Sequence, residues 1–188
     1  MSTNALDSIP VGTQIPRFSL SDVLTRHKVT PEEMIASFPK GLLVIFLCRH
    51  CPYVKHLQGA LVSMAREFLP QRIGFIGISS NDIITYPEDA PESLKEMVQE
   101  EQIPFPILFD ATQEVAKAFS AVCTPDFFLF DAKLNLAYHG RFDASTPKNG
   151  IPVTGADLRL ALEATARGET LPEPFHLSLG CSIKWKPE

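Results

Sequence analysis

The sequence predicts an α/β domain in which a mixed central sheet is covered by helices on both faces. Apolar runs of strand length at residues 42–48 and 73–79 alternate with helical patterns, and a tight hairpin follows later in the chain. Uninterrupted apolar runs are typical of strands buried on both faces, as in parallel sheets. Because strands that alternate with helices pair in parallel and a hairpin adds an antiparallel strand, the sheet should be mixed.

The N-terminal part of the chain predicts an irregular arm, an edge strand and a short helix. Residues 1–13 form the arm, and the alternation of apolar and polar residues at 15–20 indicates the edge strand. The run Thr30-Pro31-Glu32-Glu33 predicts a helix start, with Thr30 as the N-cap, proline at the first helical position and Glu33 closing a capping box. This helix should end near residues 38–41.

The strongest helical pattern in the chain follows Pro52. Its apolar residues recur every three or four positions, as on one face of a helix. They are Val54, Leu57, Leu61, Met64 and Phe68. Pro70 should close this helix, and the strand at 73–79 contains Gly74 and Gly77, which should allow a neighbouring element to approach closely.

The second half of the chain repeats the alternation with shorter elements. We expect a helix that ends near Gln102, a strand at 106–110, a helix at 112–119, a hairpin of strands at 127–130 and 134–139, and a helix that is capped at 154–157 and stops at Gly168. The tail at residues 171–188 carries Leu177, Leu179, Ile183 and Trp185. So much apolar surface is unusual in a free tail, and we therefore expect a single domain over residues 1–188 with the tail docked on it.

Composition excludes several classes of function. The net charge is −5 and there is no basic block, so nothing indicates a nucleic-acid partner or an anionic membrane surface. The longest apolar run, at 42–48, is too short to span a bilayer, and the N-terminus shows no signal peptide, so a cytoplasmic location is expected. In that reducing compartment, the four cysteines are expected to be catalytic, metal-binding or buried rather than joined in structural disulfides.

The candidate site lies where the first buried strand ends in Cys48-Arg49-His50-Cys51 and a helix begins at Pro52. A helix N-terminus carries partial positive charge and unpaired N–H groups, which favour a thiolate over a thiol. Between Gly41 and Ala65 there is no acidic residue, whereas Arg49, His50, Lys55 and His56 add basic character. We therefore predict that Cys51 has a lowered pKa and is reachable by solvent.

An oxidised Cys51 needs a second thiol to resolve it. Cys48 forms a CxxC pair with Cys51 and Cys181 lies in the docked tail; the sequence favours these two equally. Cys123 is the third choice, because it is equally well explained as a small core residue on a strand.

A zinc site is the competing interpretation of the same cysteines. It would combine Cys48 and Cys51 with His50 or His56 and with Cys123 or Cys181, but the second CxxC or HxxxH pair expected of a structural zinc site is missing. No metal is therefore predicted, and the two histidines are expected to be surface or first-turn residues. Arg141 and Asp143 are expected to pair with each other.

Several motifs together resemble a known family. They are FLCRHCPYVKH at 46–56, CTPDFFLFD at 123–131, GRFD at 140–143, PVTGADLR at 152–159 and GCSIKWKP at 180–187. Over about residues 12–187 they are similar to the peroxiredoxin-like branch of the thioredoxin superfamily, whose members are called redoxins or alkyl hydroperoxide reductase/thiol-specific antioxidant domain proteins. The resemblance implies a thioredoxin-like fold with N- and C-terminal extensions.

The resemblance also implies roles for particular residues. Cys51 stands where the attacking cysteine of a thioredoxin CxxC motif would be, and Val54 stands at its second cysteine, which is also the position of the peroxide-attacking cysteine of a peroxiredoxin. Thr124-Pro125 matches the cis-proline loop that packs against the active cysteine, and a cis bond there would offer a backbone edge to an extended substrate beside Cys123.

The function implied is a cytosolic thiol–disulfide oxidoreductase or antioxidant enzyme in which Cys51 attacks, Cys48 or Cys181 resolves, and Thr124-Pro125 positions the substrate. The expected substrate is a peroxide or a protein disulfide. No bound organic cofactor is expected, only an external reductant of the thioredoxin or glutathione type, and redoxins often pair as homodimers. Two alternatives are a weak thiol peroxidase that uses Cys51 and a non-catalytic binding module on the thioredoxin scaffold, which the valine at Val54 favours.

Overall fold

The computed structural model describes residues 9–187 of the chain, so most of the predicted N-terminal arm lies outside the described residues. The strands are β1 (Leu20–Asp22), β2 (Lys28–Val29), β3 (Gly41–Phe46), β4 (Ile73–Ser79), β5 (Ile107–Phe109), β6 (Cys123–Thr124), β7 (Asp126–Asp131), β8 (Leu136–Gly140) and β9 (Cys181–Ser182). The α-helices are α1 (Pro31–Ser37), α2 (Pro52–Phe68), α3 (Pro91–Glu100), α4 (Glu114–Ala118) and α5 (Ala156–Ala166), and a 3-10 helix spans Pro87–Asp89.

The central sheet is mixed, as the sequence predicts. Its strand order is β2-β1-β5-β4-β3-β7-β8. Strand β3 pairs in parallel with β4 and antiparallel with β7, and β7 forms the predicted hairpin with β8. The two short strands β6 and β9 form a separate antiparallel pair, in which Thr124 lies opposite Cys181.

The predicted helical cover on both faces is confirmed by the two clusters of buried residues. Leu43 and Ile45 of β3 point into a cluster shared with the apolar stripe of α2 and with α3 and α5. Their neighbours Val44 and Phe46 point into the opposite cluster, which Phe119 closes at the end of α4. Since successive strand residues face opposite sides, a strand that is buried on both faces must be apolar throughout.

Tight packing between strands explains the glycines of β4. A Cβ at Gly77 would overlap the side chain of Ile107 on β5 and press on Leu47, and a Cβ at Gly74 would press on Phe38 and Leu42. The expected close approach of neighbouring elements is therefore present at both positions.

The structure differs from the sequence prediction at the start of α5. Gly155 is the N-cap, with φ +67°, and as a glycine it has no side chain to cap the helix. The first helical N–H, that of Ala156, donates to Thr154 Oγ1 at 3.3 Å, and Asp143 Oδ2 accepts the preceding N–H groups of Thr154 and Gly155 at 2.7 and 2.6 Å. The expected Arg141–Asp143 pair is consequently wrong: Arg141 pairs with Asp157 in the first turn of α5.

Other differences concern short strands. The edge strand predicted at 15–20 is displaced to β1, and the central strand ends at Phe46 rather than at residue 48. Strands β6 and β9, of two residues each, are too short to leave a periodic signal in the sequence. No helix within residues 9–187 has both the length and the hydropathy needed to cross a bilayer.

Removing the N-cap of α1 should destabilise the fold measurably. Both arms of the predicted capping box are present: Thr30 Oγ1 accepts the N–H of Glu33 at 3.3 Å, and the Glu33 carboxylate accepts the N–H of Thr30 at 3.2 Å. Thr30→Ala should lower the free energy of unfolding by about 1 kcal/mol in urea denaturation. Thr170→Ala is the matched control, since Thr170 is exposed and makes no side-chain hydrogen bond within the described part of the chain; equal effects of the two variants would contradict the capping role.

Candidate active site

Three sulfur atoms meet around Thr124 at the N-terminus of α2. Cys51 is the N-cap of α2, and its Sγ lies 2.9 Å from Cys181 Sγ and 3.2 Å from the carbonyl oxygen of Thr124. Cys48 Sγ lies 3.4 Å from Thr124 Oγ1. The structure therefore brings Cys48, Cys51, Cys181 and Thr124 together, as four of the candidate residues predicted from the sequence.

Cys181 reaches this site on a strand that is fixed on both sides. Strand β9 pairs with β6, and the N–H of Ile183 donates to the carbonyl of Val122 at 3.0 Å. Before the strand, the Ser178 hydroxyl donates to the carbonyl of Gly140 at 2.7 Å. Hydrogen bonds to two separate parts of the body, residues 122–124 and Gly140, thus hold Cys181 over the start of α2.

Cys123 occupies a different environment. It lies beside Thr124 on β6, opposite Ser182 of the tail strand, and its nearest polar contact is the carbonyl of Pro125 at 3.8 Å. Burial raises the pKa of the Cys123 thiol, and the nearby Asp126 adds to that increase. The structure thus gives Cys123 the surroundings of a neutral core thiol.

Hydrogen bonds from neighbouring groups lower the pKa of Cys51. The largest contribution comes from the Cys48 thiol, and the Cys181 thiol, Thr124 and the backbone N–H of Val54 add to it. Burial and the carbonyl oxygen of Thr124, which cannot donate a hydrogen bond, oppose ionisation. Several donors facing one sulfur outweigh these opposing effects, so Cys51 is the preferred thiolate of the group.

The pKa values of the two neighbouring thiols are shifted in the opposite direction, upward. The hydrogen bond to Cys51 raises the pKa of Cys48, and burial and the charge of Asp89 raise it further. Burial and the contact with Cys51 raise the pKa of Cys181 to about 11. The site therefore pairs one stabilised thiolate with two thiols that remain protonated near neutrality.

The cause of the low pKa differs from the one inferred from the sequence. Three of the four basic side chains near Cys51, those of Arg49, His50 and His56, contact partners from other segments. Arg49 pairs with Glu96 at 2.7 Å and Glu100 at 2.9 Å, both on α3. His50 Nδ1 lies 2.6 Å from Asp89 Oδ2, and His56 Nε2 lies 2.7 Å from the Ser145 hydroxyl. The acidic partners of Arg49 and His50 lie 39 to 51 positions away in the sequence, so a local count of charges does not include them.

The expectation that solvent reaches Cys51 is wrong for this arrangement of the tail. Cys51 is 0 % exposed, because Cys181 and the Thr124 carbonyl cover its sulfur, whereas Cys181 itself is partly exposed. The Thr124–Pro125 bond is cis, as the resemblance implied. The backbone edge expected to receive a substrate at Thr124 is occupied by β9.

A buried carboxylate that sequence reasoning missed lies behind the cysteine turn. Asp89 is 0 % exposed, and its Oδ1 accepts the N–H groups of Arg49 at 2.8 Å and His50 at 3.3 Å. Its Oδ2 accepts from the Asn81 side-chain amide at 2.8 Å. Both residues come from a polar loop without periodicity, and nothing in that loop marks them as neighbours of the cysteines.

One group of possible metal ligands lies beside the cysteines. Within residues 9–187, the group whose ligand atoms lie within 4.8 Å of one another is Cys48, His50 and Asp89, which differs from the set considered from the sequence. Both Asp89 oxygens already accept two contacts each from N–H or imidazole groups. We therefore interpret the group as a hydrogen-bond network.

Comparison with known proteins identifies the family. The profile of the AhpC/TSA family matches residues 11–139, which include Cys48, Cys51 and Cys123 but not the tail. The chain belongs to the AhpC/TSA family. It thus lies in the redoxin branch of the thioredoxin superfamily, as the motifs indicated, and thiol redox chemistry is the general function that this membership supports.

Solved structures agree with this assignment. An uncharacterised conserved protein from Geobacillus kaustophilus is 47% identical over 95% of this chain and 94% of its own, with a TM-score of 0.92. A hypothetical protein from Sinorhizobium meliloti 1021 is 40% identical over 96% and 97%, also with a TM-score of 0.92. A peroxidoxin from Mycobacterium tuberculosis is 18% identical over 84% and 96%, with a TM-score of 0.61, and it shows the shared thioredoxin-like fold alone. No curated protein matches the chain significantly.

The ionisation of Cys51 can be followed by thiolate absorbance at 240 nm. Because the pKa of Cys51 is lowered while those of the other cysteines are raised, one thiolate should persist well below the ordinary thiol pKa of about 8.5 and disappear only as the pH falls further into the acid range. Cys51→Ser should remove this acidic step. A first titration step near pH 8.5 in the wild-type protein would contradict the prediction.

Loosening the tail should expose Cys51. A Cβ at Gly180 would overlap the carbonyl oxygen of Thr124, so Gly180→Ala should push β9 away from β6. Alkylation of Cys51 by a bulky maleimide, mapped by mass spectrometry, should accelerate about tenfold, as expected if the opening free energy falls by about 1.4 kcal/mol.

Gly59→Ala is the control for this substitution. Gly59 lies in α2, and a Cβ there meets no atom within 4 Å. If the two variants react at the wild-type rate, β9 does not control access to Cys51.

Proposed function

We propose that this protein is a thiol–disulfide oxidoreductase in which Cys51 is the attacking thiolate and Cys181 is the resolving thiol. The observation that supports it best is the 2.9 Å contact between the two sulfur atoms. A disulfide bond is about 2.05 Å long, so closing the contact requires a movement of only about 0.9 Å. The sequence favoured Cys48 and Cys181 equally as the resolving residue; the contact favours Cys181.

The pKa differences support this division of roles. The nucleophile of a thiol–disulfide exchange is a thiolate, and Cys51 is the cysteine whose pKa is lowered. Cys48 has a raised pKa and donates its hydrogen bond to Cys51, which suits a group that stabilises the nucleophile better than one that attacks it.

The proposed reaction has two exchange steps. The Cys51 thiolate attacks one sulfur of a substrate disulfide; a Cys51–substrate S–S bond forms, the substrate S–S bond breaks, and the departing thiolate takes a proton from solvent. The Cys181 sulfur then attacks the Cys51 sulfur of this mixed disulfide: the Cys51–Cys181 bond forms, the Cys51–substrate S–S bond breaks, and the Cys181 proton passes to the departing second substrate thiolate. The substrate is thereby reduced to two thiols, and the protein loses two electrons as its disulfide forms. An external reductant of the thioredoxin or glutathione type then supplies two electrons and reduces the Cys51–Cys181 disulfide again.

A peroxide would oxidise the same residue by a different first step. The Cys51 thiolate would attack one peroxide oxygen, so that an S–O bond forms, the O–O bond breaks, and the departing alkoxide or hydroxide takes a proton. Attack by the Cys181 thiol on the resulting sulfenic acid would form the Cys51–Cys181 bond, break the S–O bond and release water. A peroxidase role requires this step to be fast, and it stands as the alternative within the same chemistry. The cytoplasmic location and the homodimer stay predictions.

The burial of Cys51 favours a second candidate from another class. A cysteine that is 0 % exposed beneath a docked tail fits a non-catalytic binding module on the thioredoxin scaffold. In that case stoichiometric oxidant would leave Cys51 reduced. Rapid consumption of peroxide that vanishes in Cys51→Ser would instead promote the peroxidase.

Disulfide mapping after oxidation tests the proposal. One equivalent of hydrogen peroxide should produce a Cys51–Cys181 bridge in the wild-type protein and in Cys48→Ser, and none in Cys51→Ser, because the two sulfur atoms already touch. Cys181→Ser should accumulate a sulfenic acid at Cys51 that dimedone traps. A bridge between Cys48 and Cys51, or a reduced Cys51 after treatment, would refute the assignment of Cys181.

A further inference from the structure

The two segments that carry the reacting cysteines are 130 residues apart in the sequence, yet one hydrogen-bonded bridge joins them. The bridge consists of the Asp89 carboxylate and the Asn81 side-chain amide, which are 0 % and 3 % exposed. Within the described part of the chain, neither side chain forms a hydrogen bond with Cys51. Their arrangement needs an explanation because burying a carboxylate is costly unless it is well paired.

One end of the bridge fixes the turn between Cys48 and Cys51. Asp89 Oδ1 accepts the consecutive N–H groups of Arg49 and His50 at 2.8 and 3.3 Å. Asp89 Oδ2 lies 2.6 Å from His50 Nδ1, and the His50 ring stacks on Tyr86 at a centroid distance of 5.1 Å. Both residues between the two cysteines are thereby held by a single side chain.

The other end of the bridge fixes the strand that carries Cys181. The Asn81 amide nitrogen donates to Asp89 Oδ2 at 2.8 Å, and its Oδ1 accepts the main-chain N–H of Lys184 at 2.8 Å. The N–H of Asp82 donates to the carbonyl of Lys184 at 2.8 Å. Lys184 lies two residues after the end of β9, so these bonds anchor the strand in the register in which Thr124 lies opposite Cys181.

We propose that Asp89 is the positioning residue of the Cys51–Cys181 pair: it orders the cysteine turn directly and, through Asn81, holds the tail strand in the register that places Cys181 on Cys51. This role rests on the proposed function, because it presupposes that the two sulfur atoms react with each other. An aligned pair separated by 2.9 Å gains effective concentration without new contacts to substrate.

The charge of Asp89 adds a second effect at the same place. An Asp89 oxygen lies within 4.8 Å of Cys48 Sγ, so its negative charge disfavours ionisation of Cys48 and keeps the proton there. Cys48 can then donate to Cys51. The other charged groups nearby face elsewhere or act on other sulfurs: Arg49 is tied to Glu96 and Glu100, and Lys184 lowers the pKa of Cys181.

Two variants of the full-length protein separate these effects. Asp89→Asn keeps the size and shape of the side chain and removes its negative charge. It should move the thiolate absorbance at 240 nm to lower pH, because the loss of a negative charge favours ionisation of the neighbouring thiols, and it should slow the formation of the Cys51–Cys181 disulfide by peroxide about tenfold. Asn81→Ala removes the side-chain connection between Asp89 and Lys184 and leaves the main-chain bond from Asp82 to Lys184 in place. It should leave the pH of the thiolate step unchanged and slow the formation of the Cys51–Cys181 disulfide about tenfold. More of the sulfenic acid at Cys51 should then be trapped by dimedone.

Asp82→Asn is the matched control for the loss of charge. Asp82 belongs to the same loop, but its carboxylate accepts from Thr85 and the N–H of Ile84 rather than from the cysteine turn. The melting temperature of Asp82→Asn should fall, whereas its thiolate titration at 240 nm and its rate of Cys51–Cys181 disulfide formation should equal those of the wild-type protein.

The outcomes are distinguishable from those that test the oxidoreductase itself. If the wild-type protein forms the bridge and folded Asp89→Asn shows wild-type titration and wild-type rate, the residue is merely structural and the positioning role is refuted. If Asp89→Asn does not fold, Asn81→Ala decides, and an unchanged bridging rate there overturns the proposal. A wild-type protein that forms no bridge refutes the proposed function, while the titration of Asp89→Asn still reports on the charge effect.

Discussion

The candidate site depends on one constraint: a sulfur atom ionised inside a protein must face donors, because burial alone would protonate it. Around Cys51 the donors are the thiols of Cys48 and Cys181 and the N–H of Val54 at the start of α2. None of them is a basic side chain. The low pKa therefore depends on geometry, namely on the strand end, the helix start and the tail strand being held within hydrogen-bond distance of one another.

Local features of the site could be predicted from the sequence because they depend on neighbouring residues. The uninterrupted apolar run of β3 and the apolar stripe of α2 predict that Cys51 lies at a helix N-terminus, and both patterns are formed by residues close to Cys51 in the sequence. The capping box at Thr30 is likewise complete within four residues. The mixed sheet follows from the alternation of these elements and from the hairpin.

Features that depend on distant segments could not be predicted in the same way. Arg49 and His50 are basic in the sequence, but α3 and Asp89 neutralise them from 39 to 51 positions away. The pairing of Cys181 with Cys51 depends on β9, a strand of two residues without periodicity. Sequence reasoning could name Cys181 as a candidate, but only the contacts of the tail distinguish it from Cys48.

The position of the resolving thiol changes what the disulfide can control. In a CxxC motif that opens a helix, both sulfurs lie within one turn, and the bond between them hardly involves the rest of the fold. Here Val54 occupies the second position and packs into the core at 2 % exposure. The proposed partner sulfur lies on a strand 130 residues away, which also covers the proposed nucleophile. A bond between Cys51 and Cys181 would lock that cover, and its reduction would free it. In the proposed mechanism, access to Cys51 and the redox state of the pair are therefore coupled through the same few residues of β9, and a substrate would reach the thiolate only when the tail moves in the reduced protein.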